Sequence, residues 1–317
     1  MTDSTDSESR FDIDVVDAER FLSRHLGRDV AGVELVGEGA WSKGFGFVDA
    51  DRDLVVRFGR FVDDFEKDRR AGAFNTSALP IPEVIEIGAA FDGYFAISTR
   101  AHGRPLETCT TAEWEAVLPA VWSALDDLRR ADISATTGYG GWDSSGHGSH
   151  SSWREFVLAV DTDSPQRRTH GWRRKLIDSS VGDRPFRAGL TKLAELVDAC
   201  PNERHLIHAD LINRNVLVED DLLTGVFDWG CSSYGDFVYD LAWLAFWSPW
   251  HPALEAIDIR AAAIRHFAST AVTIDDLDAR LRCCMLHIGL DHQAYCAHTG
   301  DEAALIAVTE QTTFLLD

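Results

Sequence analysis

Two kinds of chemistry fit the residues from 205 to 230, "HLIHADLINRNVLVEDDLLTGVFDWG". His205, His208 and Asp210 are donor types found in zinc or manganese sites. Asp210, Asn215 and Asp228 are the types that phosphoryl transfer needs. One carboxylate orients a hydroxyl and takes its proton, while an amide oxygen and a second carboxylate suit a hard divalent cation. The first set is weakened because neighbouring side chains in a strand alternate faces, and no further His or Cys cluster completes it at a recognisable spacing. The second set gains from its spacing. Asn215 opens the apolar run "NVLV" and Asp228 closes "TGVFD". Antiparallel pairing of those two strands brings both residues to one end of a hairpin, beside the loop that carries Asp210. Any one of the three reads as a turn-capping residue; three converging groups do not.

The elements that must hold such a site are legible on both sides of it. A helix is expected over residues 11–27, and then "VELVGEGAWSKGFGFVDADRDLVVRF" reads as strand, glycine-rich turn, strand, turn, strand. A charged helix in "DDFEKDRRAGAFNTSA" is stopped by the prolines of "LPIPEV", which force extended backbone. Two more strands, "EVIEIGAAF" and "YFAISTRA", end at "HGRPL". Beyond them, "TAEWEAVLPAVWSALDDLRRAD" has apolar residues at helical spacing behind a threonine cap. Residues 137–152, rich in Gly, Ser and His and without periodicity, read as a loop, and after residue 236 the chain reads as helical to its end. The expectation is an α+β bilobal fold: a small β-rich N-terminal lobe at 1–103 and a larger, mostly helical lobe at 104–317.

Composition narrows the partners. The 317 residues carry a net charge of -22, with 52 acidic side chains against 30 basic ones, and only Lys43, Lys67, Lys175 and Lys192 are lysines. Nucleic acid needs basic patches and is excluded as a partner. Such a surface favours cationic ligands and also matches adaptation to a high-salt cytoplasm. No apolar run of membrane-spanning length and no signal-peptide pattern are present, so a cytoplasmic protein is expected; a monomer is the expected state. The six cysteines, without a C-x-x-C pair, read as reduced core residues.

"HADLINRNVL", followed by "GVFDWG" and "GDFVYDLA", resembles the signature of the aminoglycoside phosphotransferases. "FEKDRRAGAFNTSALPIPEV", "TTGYGGWDSSGHGSHSSWREFVLAV", "FWSPW" and "MLHIGLDHQAY" resemble the members of that family that act on hygromycin B. The resemblance spans about residues 33–300. It implies a protein-kinase-like fold, ATP with Mg2+, and a cationic aminoglycoside, hygromycin B foremost, as acceptor.

On that resemblance Asp210 is the catalytic base and touches the acceptor, while Asn215 and Asp228 hold the metal. Gly37, Gly39 and Gly44 of "GEGAWSKG" cover the phosphates. Arg57 stands where most kinases carry a phosphate-binding lysine, replacing a point charge with a planar fork. Its acidic partner falls at Asp68, with Glu66 second. Ser98, Thr99, Arg100 and Ala101 form the hinge whose backbone meets adenine. His208, Asp236 and Asp240 brace the loops, and Trp247 and Asp291 offer an aromatic face and a carboxylate to a polycation. Two other functions stay open: a kinase of another hydroxyl compound, such as a macrolide, a choline-like alcohol or a sugar, and a nucleotide-binding protein without turnover, suggested by Arg57. The presence of Asp210, Asn215 and Asp228 together weighs against the last.

Overall fold

The computed structural model describes residues 13–317. Helix α1, Val15–Leu26, starts where the Asp14 side chain accepts the Asp17 amide and stops at Gly27, whose φ of 67° suits glycine. Residues 11 and 12 of the expected helix lie outside the described residues. Five strands follow: β1 (Glu34–Glu38), β2 (Ser42–Asp49), β3 (Arg52–Gly59), β4 (Val84–Ala90) and β5 (Gly93–Thr99). They form one antiparallel sheet in the order β1-β2-β3-β5-β4. Phe45, Phe47, Leu54, Val56, Phe58, Phe95 and Ile97 pack with Ala18 and Leu22 of α1 into a core of its own. Every strand expected in this lobe is present.

Helix α2, Val62–Ala71, lies between β3 and β4 and buries Phe65, Lys67 and Asp68. The proline run after it carries the chain onto the other lobe. The Pro80 carbonyl accepts the Val226 amide at 2.7 Å, and Leu79 and Ile81 join the larger core. Extended backbone forced by proline thus becomes a seam between lobes.

The larger lobe begins with β6 (Arg104–Pro105) and α3 (Thr111–Arg130), the latter opened by a Thr110–Glu113 capping box. Strands β7 (Tyr139–Trp142) and β8 (Gly148–His150) precede α4 (Trp153–Leu158), α5 (Trp172–Asp178) and α6 (Arg184–Leu196). Then come β9 (His205–Ile207), β10 (Val216–Glu219), β11 (Leu222–Val226) and β12 (Ser233–Gly235), followed by α7 (Val238–Trp247), α8 (Pro252–Glu255), α9 (Ile259–Ser269), α10 (Leu277–Thr299) and α11 (Glu302–Phe314). The core is built around α10, against which α5, α6, α7 and α11 pack. The architecture is the α+β one expected, a sheet-rich lobe followed by a helical one.

One expectation is corrected. Residues 137–152 contain a hairpin, β7 with β8, and β7 pairs with β12 directly after the segment that carries Asp228. Glycine there serves close packing: a Cβ at Gly140 would lie 2.2 Å from the Phe156 ring, and one at Gly148 would lie 2.5 Å from the Tyr139 backbone. A glycine-rich run with little hydrophobic periodicity gave the reading of a loop, although its backbone is tied into a sheet.

Candidate active site

The β10–β11 hairpin sets the site. Val216 faces Val226, and one step beyond, the Phe227 amide donates to the Asn215 carbonyl at 3.0 Å, which places Asn215 and Asp228 at the same end. Asp210 lies in the preceding loop and is tied to that end by Asn215, whose Nδ2 donates to the Asp210 side chain at 2.8 Å and to its carbonyl at 2.9 Å. Asn213 Nδ2 donates to the other carboxylate oxygen of Asp210. With its amide hydrogens directed to Asp210, Asn215 is left to offer its oxygen elsewhere. The donor set that fits magnesium is then that amide oxygen with the Asp228 carboxylate, both hard oxygens.

The backbone of this loop is held in an unfavourable conformation. Ala209, Asn213, Arg214 and Asp228 have φ of 63°, 66°, 65° and 64°, values uncommon outside glycine, most of all for Ala209 and Arg214, since Asn and Asp enter this region more readily. The groups that hold this loop can be named. Buried Asp240 accepts the His208 and Ala209 amides at 3.0 and 2.8 Å. Burial pushes its carboxyl up to about 6, against those amides. Asp236 accepts a two-armed ion pair from buried Arg280 at 2.6 and 2.9 Å and also receives the Val238 amide at the start of α7.

His208 is a brace rather than a metal ligand. Its Nδ1 accepts the Asp210 amide at 3.2 Å, and its Nε2 contacts the Phe227 carbonyl at 3.1 Å, which assigns Nε2 as the protonated nitrogen. Burial, offset in part by that carbonyl, lowers its pKa to about 4. His205 instead places Nδ1 at 2.8 Å from the Arg129 carbonyl. Among the described residues the one group with metal-ligand proximity is Cys200, Asp236 and Cys284, and there Asp236 is already engaged by Arg280. The zinc or manganese reading of residues 205–210 therefore has no geometric basis.

Asp210 is the unusual acid. Burial, and next the Asp228 carboxylate, push it well above the ordinary aspartate range, while the Asn213 and Asn215 amides act the other way. A carboxylate destabilised in this manner is a stronger proton acceptor than a solvated one.

The smaller lobe meets this end through α2. Arg57 of β3 forms an ion pair with Asp68, and Asp68 Oδ1 accepts the Trp229 amide at 2.8 Å, next to Asp228. Of the two acids considered, Asp68 is the partner; Glu66 pairs with Arg69 on the surface. Burial lowers the Arg57 pKa, opposed by the Asp228 and Asp64 carboxylates. Gly37 and Gly44 pair across β1 and β2, Gly44 faces Arg57 on β3, and the Gly39 amide closes the turn onto Ser42 at 2.9 Å. A Cβ at Gly37 would meet nothing within 4 Å, so this turn presents bare backbone.

Residues 98–101, expected to meet adenine, have few unpaired amides. The Thr99 amide donates to Glu83 at 2.9 Å and the Arg100 amide to Asp53 at 3.1 Å, and Ser98 is paired within the sheet opposite Val55. Those two amides cannot serve adenine without breaking bonds within the lobe. The Arg100 side chain turns to Glu34 at 2.7 Å. Ala101 and the carbonyls are what this segment leaves for a base.

At the other end, Asp291 of α10 is partly exposed and receives Arg167 Nη2 at 2.7 Å. Trp247 is half-buried among Trp243, Trp250 and His292, at ring-centroid distances of 5.8, 5.1 and 4.6 Å. Cys231 is exposed as a residue, and burial of its thiol, followed by the Asp210, Asp228 and Asp291 carboxylates, raises its pKa.

Sequence reasoning passed over three residues here. Lys67 of α2 donates to the Gly230 carbonyl at 2.6 Å and the Ser232 carbonyl at 3.2 Å, and burial lowers its pKa to about 8. Its rarity was a usable signal, since a chain with four lysines places this one inside a helix. Asp64 and Arg168, 104 residues apart, form a bidentate pair that no local pattern announces.

Residues 33–272 match the model of a family described as "Phosphotransferase enzyme family". The chain is 33% identical over 290 residues to hygromycin-B 4-O-kinase of Escherichia coli, an alignment covering 90% of this chain and 81% of that one. It is similar to the crystal structure of aminoglycoside phosphotransferase APH(4)-Ia, with 31% identity, TM-score 0.83, and 96% and 98% of the two chains covered. A thermostable mutant of that protein, in ternary complex with AMP-PNP and hygromycin B, matches at 30% identity and TM-score 0.81 over 94% and 97% of the chains.

Proposed function

The chain belongs to the phosphotransferase enzyme family, and on that premise we propose that it is an ATP-dependent O-phosphotransferase moving the γ-phosphoryl group to a hydroxyl of a cationic aminoglycoside, hygromycin B foremost. The observation that carries this reading is the one hairpin end that gathers Asp210, Asn215 and Asp228.

Asp210 acts on the acceptor. Its carboxylate, held by two asparagine amides and made basic by burial, orients the attacking hydroxyl and takes the proton as the new oxygen–phosphorus bond develops. Arg57, fixed by Asp68, supplies a planar fork to the nucleotide phosphates, and the open turn at Gly37, Gly39 and Gly44 supplies backbone amides. Asn215 Oδ1 and Asp228 would hold magnesium, which neutralises phosphate charge when bound. Asp291 offers charge and Trp247 an aromatic face to the ammonium-bearing acceptor, within a chain of net charge -22.

The test is ADP release with Mg-ATP across a panel of acceptors. Release should depend on hygromycin B or a close aminoglycoside. Release that is the same without any acceptor, or that depends on a macrolide, choline or a simple sugar, would overturn the substrate assignment.

A further inference from the structure

The segment between α4 and α5 carries two consecutive arginines that reach in opposite directions. Arg167 bonds Asp291 at 2.7 Å and the Thr162 carbonyl at 2.9 Å, both within the larger lobe. Arg168 crosses to the smaller lobe, where its two terminal nitrogens donate to the two oxygens of Asp64 at 2.9 and 2.7 Å. The same guanidinium lies 3.8 Å from the Phe61 ring centroid and 5.8 Å from that of Trp41. Those rings meet edge to face at 5.6 Å. Trp41 belongs to the glycine-rich turn, between Gly39 and Gly44. Asp64 borders the proposed metal carboxylate: a Cβ at Gly230 would lie 3.3 Å from an Asp64 oxygen and 3.4 Å from an Asp228 oxygen.

An ordinary surface ion pair has little effect, because water screens it and two long side chains lose freedom. This pair differs in geometry. A fork on a carboxylate is directional, and a guanidinium plane over aromatic rings adds a contact that an ammonium reproduces poorly. One side chain of the larger lobe therefore fastens the tip of the glycine-rich turn, the first turn of α2 and the rim of the Asp228 site.

We propose that Arg168 is a positioning residue for phosphoryl transfer, an inter-lobe clasp that sets the glycine-rich turn over the nucleotide phosphates through Trp41, Phe61 and Asp64. The proposal rests on the nucleotide-site reading above and adds a residue from outside the hairpin. It touches the nucleotide side alone. Removing the clasp loosens phosphate positioning and leaves the acceptor pocket, with Asp291 held by Arg167, as it was.

The test measures Mg-AMP-PNP affinity by calorimetry, kcat, and acceptor affinity without nucleotide, in wild type, Arg168→Ala, Arg168→Lys and Asp64→Asn. Arg168→Ala should weaken Mg-AMP-PNP and lower kcat, each by about tenfold, the scale of one charge-assisted contact. Acceptor affinity should stay within twofold, and circular dichroism should show the wild-type fold. Arg168→Lys should recover only a small part, and adding Asp64→Asn to Arg168→Ala should cost nothing further. Full recovery by lysine would overturn the clasp in favour of bare charge. Nucleotide affinity and kcat within twofold of wild type in Arg168→Ala would overturn it outright, as would losses from Asp64→Asn and Arg168→Ala that multiply. A wild type that binds nucleotide but phosphorylates no aminoglycoside would defeat the substrate reading while the calorimetry still decides the clasp. A wild type that binds no nucleotide would overturn both.

Discussion

The hairpin end and the rim proposed to take the acceptor are built on different rules. At the hairpin end, Asp228 and the residues flanking Asp210 and Asn215, Ala209, Asn213 and Arg214, have positive φ, and buried Asp240 holds the His208 and Ala209 amides. At the rim, Asp291 and its Arg167 partner are 44% and 28% exposed, on a helix and a surface segment 124 residues apart. The first region is over-determined and tolerates little change. The second is held by side-chain pairs that an incoming cation can replace. Phosphoryl transfer needs a fixed reacting geometry, whereas recognition of a polycation needs accessible charge.

The largest expected effect belongs to the over-determined end. Asp210→Asn should lower kcat by about 10²–10⁴-fold, the usual contribution of a positioned base, with Mg-nucleotide affinity unchanged. Near-native kcat would remove Asp210 from the mechanism. Asp236→Ala leaves the Arg280 guanidinium buried without its partner and should destabilise the fold by about 3–5 kcal/mol, measured by urea titration. A loss below about 1 kcal/mol would mean that the brace is dispensable. Asp228→Ala should weaken magnesium-dependent nucleotide binding by about 10- to 100-fold, and unchanged affinity by calorimetry would point to another carboxylate.

How much of this was legible in the sequence follows the same division. Asp210, Asn215 and Asp228 fall within 19 residues, so pairing of the two strands brings Asn215 and Asp228 together and the short preceding loop keeps Asp210 beside them. The sheet and helices of the smaller lobe were readable because their apolar residues keep strand or helix period. What stayed hidden is non-local. Arg168 reaches Asp64 across lobes and Arg167 reaches Asp291 across the larger lobe, and spacing carries no trace of either. The β7–β8 hairpin stayed hidden for another reason: its glycines serve close packing and leave too few side chains to make a strand pattern. Which amides of residues 98–101 the sheet already uses is likewise not shown by the sequence.

Acid titration probes the larger lobe's buried histidines. His208 and His287 sit near 4, lowered first by burial, against about 6.5 when unfolded. The unfolded chain binds more protons between those values, so their stabilisation is complete above about pH 6.5 and is lost as pH falls toward 4, by about 3 kcal/mol each at most. Asp240, raised to about 6, acts with the opposite sign, since its contribution is present below about pH 3.8 and lost as pH rises through 6. Comparing wild type with His287→Phe isolates one histidine: Tm should fall less steeply between pH 7 and 5 in the variant, and parallel slopes would refute the assignment.

The rim should give the smallest effects. Asp291→Asn should raise the KM for a cationic acceptor by less than about tenfold and leave kcat alone, because Arg167 already pairs with that carboxylate and competes for it. The same KM should climb with added KCl as the field of a chain carrying -22 charges is screened, while Tm rises. A kcat loss as large as that of Asp210→Asn would erase the distinction between the two regions, and a salt-independent KM would remove long-range attraction from recognition.

The most direct measurement is product analysis. Wild type and Asp210→Asn are each saturated with Mg-ATP, given hygromycin B, and the antibiotic is examined by mass spectrometry and phosphorus NMR. The account predicts that wild type adds one phosphoryl group at a single hydroxyl and that Asp210→Asn, with the nucleotide still bound, adds none on the same timescale. Unmodified antibiotic from wild type, or equal phosphorylation by the variant, would contradict it.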